Sequence, residues 1–229
     1  MINMIKHLYV TGDSFAFGHG LPGYNGDMFN DELRNQCYSG IIANKLNIET
    51  YTNTSKPGGS NDRALRVLLE DIPAILKDTP AKDIFVNICL TSPSRIEFYS
   101  NLSNNYLRIL PTFEIKGADP HSELWRLYTR YFLNVVEQVD RYIRQVMLIR
   151  LFLESLGIPY LIIQSFPFSD EFMNNLRSRK IDITPYLNEL TFAGFCGALE
   201  ENAFLSDYHP NSYGHQAWAN YLIEHYFND

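Results

Sequence analysis

A short apolar run that stops at Gly-Asp-Ser, close to the start of the 229-residue chain, limits its possible folds more than any other feature. Residues 8–11 have the composition of a buried strand, and Gly12 interrupts them. Ser14 then stands where the strand ends, at the edge of a sheet where open α/β proteins bind their ligands. The sequence therefore predicts an α/β fold with Ser14 at this edge. A plain turn in which Ser14 caps a helix is the simpler alternative.

Predicted strands and helices alternate along the chain. Residues 83–90 are nearly continuous in apolar side chains, as in a central strand buried on both faces, and 48–53 and 160–164 are further strand candidates. Apolar residues recur at helical spacing in four segments, which are 31–46, 64–75, 122–156 and 210–226. This alternation predicts a three-layer α/β/α sandwich with a mostly parallel, flavodoxin-like sheet. Because no linker composition divides the chain, we expect a single domain over residues 1–229.

The segment 98–120 interrupts the alternation. It has no clean period and contains several Asn and Ser residues, which predicts an insertion over the sheet edge, where substrate-specific loops often lie. Ser122 is the expected cap of the long helix that follows. Residues 181–203 are also poorly patterned and are expected to form a second covering element.

The charge pattern bears on the class of partner. The net charge is −7 and no block of Lys or Arg occurs, which argues against nucleic acid, since phosphate binding needs a basic face. Several arginines lie along one predicted helix, but acidic residues alternate with them, so a solvated face is expected. They are Arg126, Arg130, Arg141, Arg144 and Arg150.

The cysteines and the apolar runs bear on the cellular compartment of the protein. The three cysteines, Cys37, Cys89 and Cys196, are widely separated and form no metal or redox motif, so we expect them reduced and buried. The N-terminus lacks the apolar stretch of a signal peptide, and no run is long enough to span a membrane. These features predict a cytoplasmic protein without a membrane partner. No zinc, calcium or nucleotide motif occurs, which predicts no metal site and no cofactor.

Asp207, His209 and Pro210 precede a C-terminal amphipathic segment and complete a pattern that begins at Gly12-Asp13-Ser14. From about Leu8 to Tyr221, the chain resembles the SGNH (GDSL-type) hydrolases. The resemblance implies that Ser14 is a nucleophile, that His209 is its base, and that Asp207 orients the imidazole.

Alternatives remain for the histidine and the carboxylate. His215 lies further along the last helix and is the main rival base. The alternative for His209 is a structural histidine that caps the last helix through its neighbour Asn211. His7, His19, His121 and His225 are expected in loops or at the surface. The family usually carries its Asp three residues before the His, where this chain has Ser206, and Asp207 stands two before.

The second block of the family corresponds to the turn Gly58-Gly59-Ser60-Asn61. The resemblance implies an oxyanion hole built from the Ser14 amide, a glycine amide and a side chain of the third block. Gly58 is the expected glycine, with Gly59 as the alternative. Asn61 is expected to contact the substrate, and Ser60 or Asn61 to cap the next helix.

The third block departs from the family pattern, because Thr91 stands where an asparagine is usual. Thr91 is the expected third oxyanion donor, with Ser92, Asn87 or Arg95 as the alternatives that compensate for the missing asparagine. Arg95 is expected to bind an anionic or sugar part of a substrate, with a surface ion pair as the simpler alternative. The Thr-Ser-Pro-x-Arg form resembles versions carried by bacteriophage-encoded members.

Together these residues predict a serine hydrolase that cleaves carboxylic esters through an acyl-enzyme. A small-molecule or carbohydrate ester, with a short acyl or O-acetyl group, is the expected substrate. The rival hypothesis is a catalytically weak glycan-binding or structural module on the same fold. The sequence carries no information on the oligomeric state.

Overall fold

A parallel sheet forms the centre of the computed structural model, which describes residues 5–26, 28–111, 117, 119–186 and 190–227. The sheet has the order β2-β1-β3-β6 and each neighbouring pair is parallel, while β4 and β5 form a separate antiparallel hairpin. These strands are β1 (His7–Gly12), β2 (Thr50–Asn53), β3 (Ile84–Leu90), β4 (Ile96–Ser100), β5 (Asn105–Ile109) and β6 (Tyr160–Gln164).

Helices connect the parallel strands. A short π-helical turn, Tyr128–Phe132, separates α5 from α6, and two 3₁₀ turns lie at Ala81–Asp83 and Thr184–Tyr186. The α-helices of the described residues are α1 (Ser14–Phe17), α2 (Asp31–Gln36), α3 (Tyr38–Lys45), α4 (Asn61–Ile75), α5 (Pro120–Leu127), α6 (Val135–Ser155), α7 (Asp170–Arg177), α8 (Phe192–Gly197) and α9 (Ser212–Tyr226).

Successive side chains of the central strands enter two different buried clusters. Leu8 and Val10 of β1 pack into the cluster that contains Trp218 of α9. Tyr9, between them, packs on the opposite face in the cluster that contains Leu68 of α4. Because strand side chains alternate between faces, this division places helices on both sides of the sheet. It confirms the predicted three-layer α/β/α sandwich with a mostly parallel sheet.

The predicted helix over 31–46 is two helices, since Cys37 has an extended backbone between α2 and α3. Leu33 and Cys37 pack with Phe17 in a small cluster of their own. Tyr38 instead points into the main core, where its hydroxyl donates to the Asn87 side chain. The helices α2 and α3 therefore pack into different clusters. This packing divides a segment whose apolar spacing predicted one continuous helix.

The predicted helix over 122–156 is interrupted as well. The π-helical turn and Asn134, whose side chain caps α6, divide it. Asp119 and not Ser122 caps α5, because its carboxylate accepts from the His121 and Ser122 amides. The Ser122 hydroxyl also donates to that carboxylate, so the expected capping role of Ser122 is wrong.

The segment 98–120 begins in the β4–β5 hairpin, and residues 112–116 and 118 lie outside the described residues. Arg108 of β5 donates to the Pro57 carbonyl, and Arg66 of α4 pairs with Glu97 of β4 at 3.0 Å. These contacts hold the hairpin against α4 and the loop that precedes it. The single domain over 1–229, with this segment as an insertion, stays a prediction.

Arg141 does not lie on a solvated face, which corrects the interpretation of the arginine series. Its side chain is buried, and it donates to the Pro93 carbonyl and the Tyr128 hydroxyl. Glu137, one turn earlier on α6, lies 3.3 Å away and balances its charge. A buried guanidinium needs such partners, so Arg141 ties the loop after β3 to α6.

Cys37, Cys89 and Cys196 are free and buried, as predicted. Among the described residues, none of the helices combines the length and the apolar character that crossing a bilayer requires.

The strands β1 and β3 lie so close at Gly12 that a larger residue there should destabilise the fold. A Cβ atom on Gly12 would lie 2.5 Å from the Cys89 carbonyl oxygen, so Gly12→Ala must push two paired backbones apart. We expect the free energy of unfolding to fall by about 1–3 kcal/mol, as for other overpacked sites, in urea denaturation.

Gly197→Ala is the matched control, since no heavy atom lies within 4 Å of a Cβ built there. Alanine is the better helix former at this position of α8, so the variant should lose no stability. Equal losses for the two variants would contradict a steric role of Gly12.

Candidate active site

A cavity of about 710 Å³ opens beside Ser14, at the carboxyl end of the parallel strands. Aromatic rings and prolines form much of its wall, and polar side chains from distant parts of the chain reach into it. The lining residues include Ser14, His19, Gly58, Ser92, Arg95, Phe166, Asp207 and His209. Such an edge is where α/β sheets bind ligands.

The turn after β1 positions Ser14 through Asp13. The Asp13 carboxylate is fully buried, caps α1 by accepting from the Phe15 amide at 3.0 Å, and accepts from the Ser165 hydroxyl at 2.8 Å. Asp13 therefore holds the turn. Ser14 is the first residue of α1 and not its cap, which leaves the hydroxyl directed to the cavity.

The segment before α9 brings His209 to the same place. Asn211 caps α9, and the Leu205 amide donates to the His209 carbonyl at 2.8 Å, which fixes the turn. The His209 Nε2 atom then lies 3.0 Å from Ser14 Oγ. The ends of the chain therefore meet in one site.

Asp207 lies behind His209. Its Oδ2 atom is 3.2 Å from His209 Nδ1, and its Oδ1 atom accepts from the His209 amide at 3.2 Å. Slight burial raises the Asp207 pKa, but the bond from the His209 amide and the charge of His209 outweigh it, so the pKa is lowered overall. The side chain is 48% exposed. The order hydroxyl, imidazole, carboxylate is the one that activates a serine.

His19 is the site residue that the sequence analysis missed, because it was placed with the loop and surface histidines. Its ring centroid lies 4.3 Å from that of His209, and its Nε2 atom is 3.7 Å from Asp207 Oδ2. Burial and, next, the charge of His209 lower its pKa. The sequence signal for it is its place just after Gly18, which ends the short helix α1 that Ser14 begins.

His215, the rival base, does not reach the cavity. It is fully buried, and its Nδ1 atom accepts from the Tyr38 amide at 3.0 Å. Burial, with a smaller effect of His209, lowers its pKa to about 3. His7 is also buried, with Nε2 2.9 Å from Thr52 Oγ1, so the expectation of a surface position for it is wrong.

The glycine turn contributes Gly58 to the cavity wall. Gly58 has a φ of 68°, which favours glycine, and the Gly59 amide already donates to the Lys56 carbonyl at 2.8 Å. In the described part of the chain, the Ser14 and Gly58 amides have no backbone acceptor. Of the two glycines, Gly58 is thus the one with a donor free to meet a ligand.

Asn61 and Thr91 bind each other and do not line the cavity. The Asn61 amide accepts from the Thr91 N–H at 2.8 Å and donates to the Thr91 carbonyl at 3.2 Å. Both side chains are buried, and the Thr91 hydroxyl has no partner in the described structure. The structure therefore uses Asn61 to fix the third block, with Ser60 as the cap of α4. Ser92, the next residue, does line the cavity.

Arg95 lines the cavity, and its ion-pair partner is a buried carboxylate and not one at the surface. Its Nη1 atom lies 3.5 Å from the buried Asp13 carboxylate, and its guanidinium stands over the Phe166 ring at 5.3 Å. Asn87, the other residue considered as a compensating donor, is buried and bonded to Tyr38 and Leu161. Arg95 thus has one side available to a ligand and one that balances Asp13.

One group of metal-ligating side chains emerges among the described residues. One ligand atom from each of His19, Asp207 and His209 lies within 4.8 Å of the others. No sequence motif predicted this group, because its members come from opposite ends of the chain.

The fold is shared with solved structures at low sequence identity. A member of the lipolytic protein G-D-S-L family from Veillonella parvula is 11% identical, with a TM-score of 0.52 over 97% of this chain and 99% of that one. A protein assigned to the G-D-S-L family from Desulfitobacterium hafniense is 12% identical, with a TM-score of 0.53 over 96% and 98%. Axe2, an acetylxylan esterase from Geobacillus stearothermophilus, is 17% identical, with a TM-score of 0.50 over 97% and 94%.

The chain therefore has the fold of the SGNH (GDSL-type) hydrolases, as the resemblance in sequence implied. Its residues 25–227 match the profile of DUF6071, a family of unknown function, and the chain belongs to that family. The matched residues include Gly58 and His209 but begin after Ser14. A search of curated proteins finds no match.

The buried His215 predicts a pH dependence of stability. Its pKa is about 3 in the folded protein against 6.5 ordinarily, so between these values the unfolded chain binds more protons. The contribution of neutral His215 to the free energy of unfolding is fully present above pH 6.5. Below pH 6.5 this contribution falls by at most about 1.4 kcal/mol per pH unit.

We expect the difference in unfolding free energy between wild type and His215→Gln, from urea denaturation, to shrink between pH 7 and pH 5. The variant keeps an acceptor for the Tyr38 amide but does not titrate. His225→Gln, at an exposed position of α9, should follow the wild-type pH dependence. A wild-type minus His215→Gln difference that stays constant with pH would refute the assignment.

Proposed function

We propose that this protein hydrolyses carboxylic esters with Ser14 as nucleophile, His209 as general base and Asp207 as the orienting carboxylate. The distance of 3.0 Å between Ser14 Oγ and His209 Nε2 is the observation that carries the proposal. Asp207 on the far nitrogen of His209 supports it, because the carboxylate favours the tautomer whose Nε2 accepts a proton.

The reaction has two halves. His209 takes the Ser14 proton while Oγ attacks the ester carbonyl, and the imidazolium then gives the proton to the leaving alcohol. The same histidine next takes a proton from water, which attacks the acyl-Ser14 ester, and the imidazolium returns this proton to Ser14 Oγ as the carboxylic acid is released. Asp207 stabilises the imidazolium in both halves. The Ser14 and Gly58 amides are proposed to bind the oxyanion.

The third oxyanion donor is assigned to the block that contains Thr91. Thr91 holds the family position, but its buried hydroxyl does not line the cavity, whereas Ser92 does. The Ser92 hydroxyl lies 2.8 Å from that of Ser94, which also lines the cavity and restricts its orientation. These contacts favour Ser92 as the donor and Thr91 as its support.

The proposed substrate is a short-acyl or O-acetyl ester of a carbohydrate. Phe15, Phe166, Phe168 and Phe172 line the cavity, and aromatic faces suit the apolar faces of sugar rings. Arg95 adds a cation for an acidic group of the substrate. The acetylxylan esterase with the same fold is consistent with this substrate class.

A catalytically weak glycan-binding module is the second candidate. The absence of the usual asparagine in the third block favours it, since the loss of one oxyanion donor costs about 3 kcal/mol of transition-state stabilisation.

Ser14→Ala separates the two functions. The variant should lose at least about 10³-fold of the hydrolysis of p-nitrophenyl acetate and all labelling by a fluorophosphonate, because both need the activated hydroxyl. Ser103→Ala, in the exposed hairpin, should behave as wild type. Equal rates for wild type and Ser14→Ala would reject the esterase and leave glycan binding.

Ser92→Ala tests the third donor. We expect kcat to fall by about 10²-fold with KM nearly unchanged, because an oxyanion donor acts mainly in the transition state. Thr91→Val keeps shape and removes a buried, unpartnered hydroxyl, so its kcat should change by less than about threefold. The reverse ranking of the two variants would assign the donor to Thr91.

A further inference from the structure

Three ligand atoms converge on the side of His209 that faces away from Ser14. Asp207 Oδ2 lies 3.2 Å from His209 Nδ1 and 3.7 Å from His19 Nε2, and one ligand atom from each residue falls within 4.8 Å of the others. A tetrahedral Zn²⁺ ion with bonds of about 2.0 Å sets its ligands about 3.3 Å apart. Two edges of the triangle therefore already have nearly the length that a bound ion needs.

The donor atoms are available and accessible. His209 Nδ1 is buried 3.2 Å from the Asp207 carboxylate, and no other hydrogen-bond partner occupies it in the described structure. Asp207 is 48% exposed, and Tyr208 beside it is 81% exposed, so an ion can enter from solvent and keep water as a fourth ligand. Two imidazoles and one carboxylate favour Zn²⁺ and its transition-metal neighbours over Mg²⁺ or Ca²⁺.

We propose that His19, Asp207 and His209 bind a divalent transition-metal ion of the Zn²⁺ type, and that the bound ion switches off the proposed hydrolysis. The inhibitory part rests on the proposed function, whereas the binding part does not. This group is distinct in role from a catalytic metal centre, because the ion occupies the back of the triad and not the face toward Ser14.

Tautomer chemistry gives the inhibition. A metal ion on Nδ1 of His209 uses the lone pair of that nitrogen, so the single proton of the neutral ring moves to Nε2. Nε2 faces Ser14 and can then no longer accept the Ser14 proton. One proton leaves Nδ1 and one is taken up at Nε2, so the step is balanced without net proton release. Asp207 is at the same time withdrawn from His209 to the ion.

Binding is tested first, without reference to activity. Zn²⁺ is titrated into the full chain by isothermal titration calorimetry, and Co²⁺ absorption reports the geometry. We expect one ion per chain and at least about tenfold weaker binding to His19→Phe, which keeps an aromatic ring against His209 but removes a ligand. His225→Phe, an exposed histidine that stacks on Tyr221, is the matched control and should bind as wild type. Equal Zn²⁺ affinity of wild type and His19→Phe would overturn the site.

Inhibition is tested as the ratio of p-nitrophenyl acetate hydrolysis with and without Zn²⁺ within each protein. Wild type and His225→Phe should be inhibited and recover on chelation, Mg²⁺ should have no effect, and His19→Phe should need at least about tenfold more Zn²⁺. Stoichiometric Zn²⁺ binding that leaves the rate unchanged would overturn the switch. If wild type hydrolyses no ester, the proposed function fails, and the calorimetry still decides the metal site.

Discussion

The buried carboxylate of Asp13 is the constraint on which the site depends. A charge away from water is costly unless charged or polar groups surround it, and Asp13 is fully buried. Its partners come from three parts of the chain: the Phe15 amide of α1, the Ser165 hydroxyl after β6 and the Arg95 guanidinium after β3. Satisfying this one group thus joins the ends of three parallel strands, and Ser14 is the residue that follows it.

A second link brings the C-terminus to this edge. The Tyr38 amide donates to the buried His215 of α9, and Trp218 of the same helix packs in the core with Leu8 and Val10. These contacts fix α9, and Asn211 caps its first turn. The position of the turn that carries His209 therefore follows from the position of α9. His209 reaches Ser14 because α9, which follows it, is held in place. His215 of α9 helps to hold it through its hydrogen bond with the Tyr38 amide.

The sequence was sufficient for the layers and for the strands β1, β3 and β6, because apolar periodicity and residues at strand ends are local signals. The pairing of Ser14 with His209 was instead implied by the resemblance to the SGNH hydrolases. His19 was missed because no periodicity marks a loop residue, and its place depends on where Asp207 arrives. The break at Cys37 and the burial of Arg141 have the same origin, since each satisfies a partner that is distant in sequence.

The position of Asp207 lets the proposed triad and the proposed metal site share one group of side chains. The family places its carboxylate three residues before the histidine, whereas here it lies two before, and Tyr208 between them adopts a φ of 64° to complete the turn. This turn leaves Asp207 half exposed, where water weakens its electrostatic hold on the imidazole. Because Asp207 is half exposed, an ion from solvent can reach its carboxylate. His19 lies 3.7 Å from the same carboxylate. The proposed triad and the proposed metal site therefore share one half-exposed carboxylate.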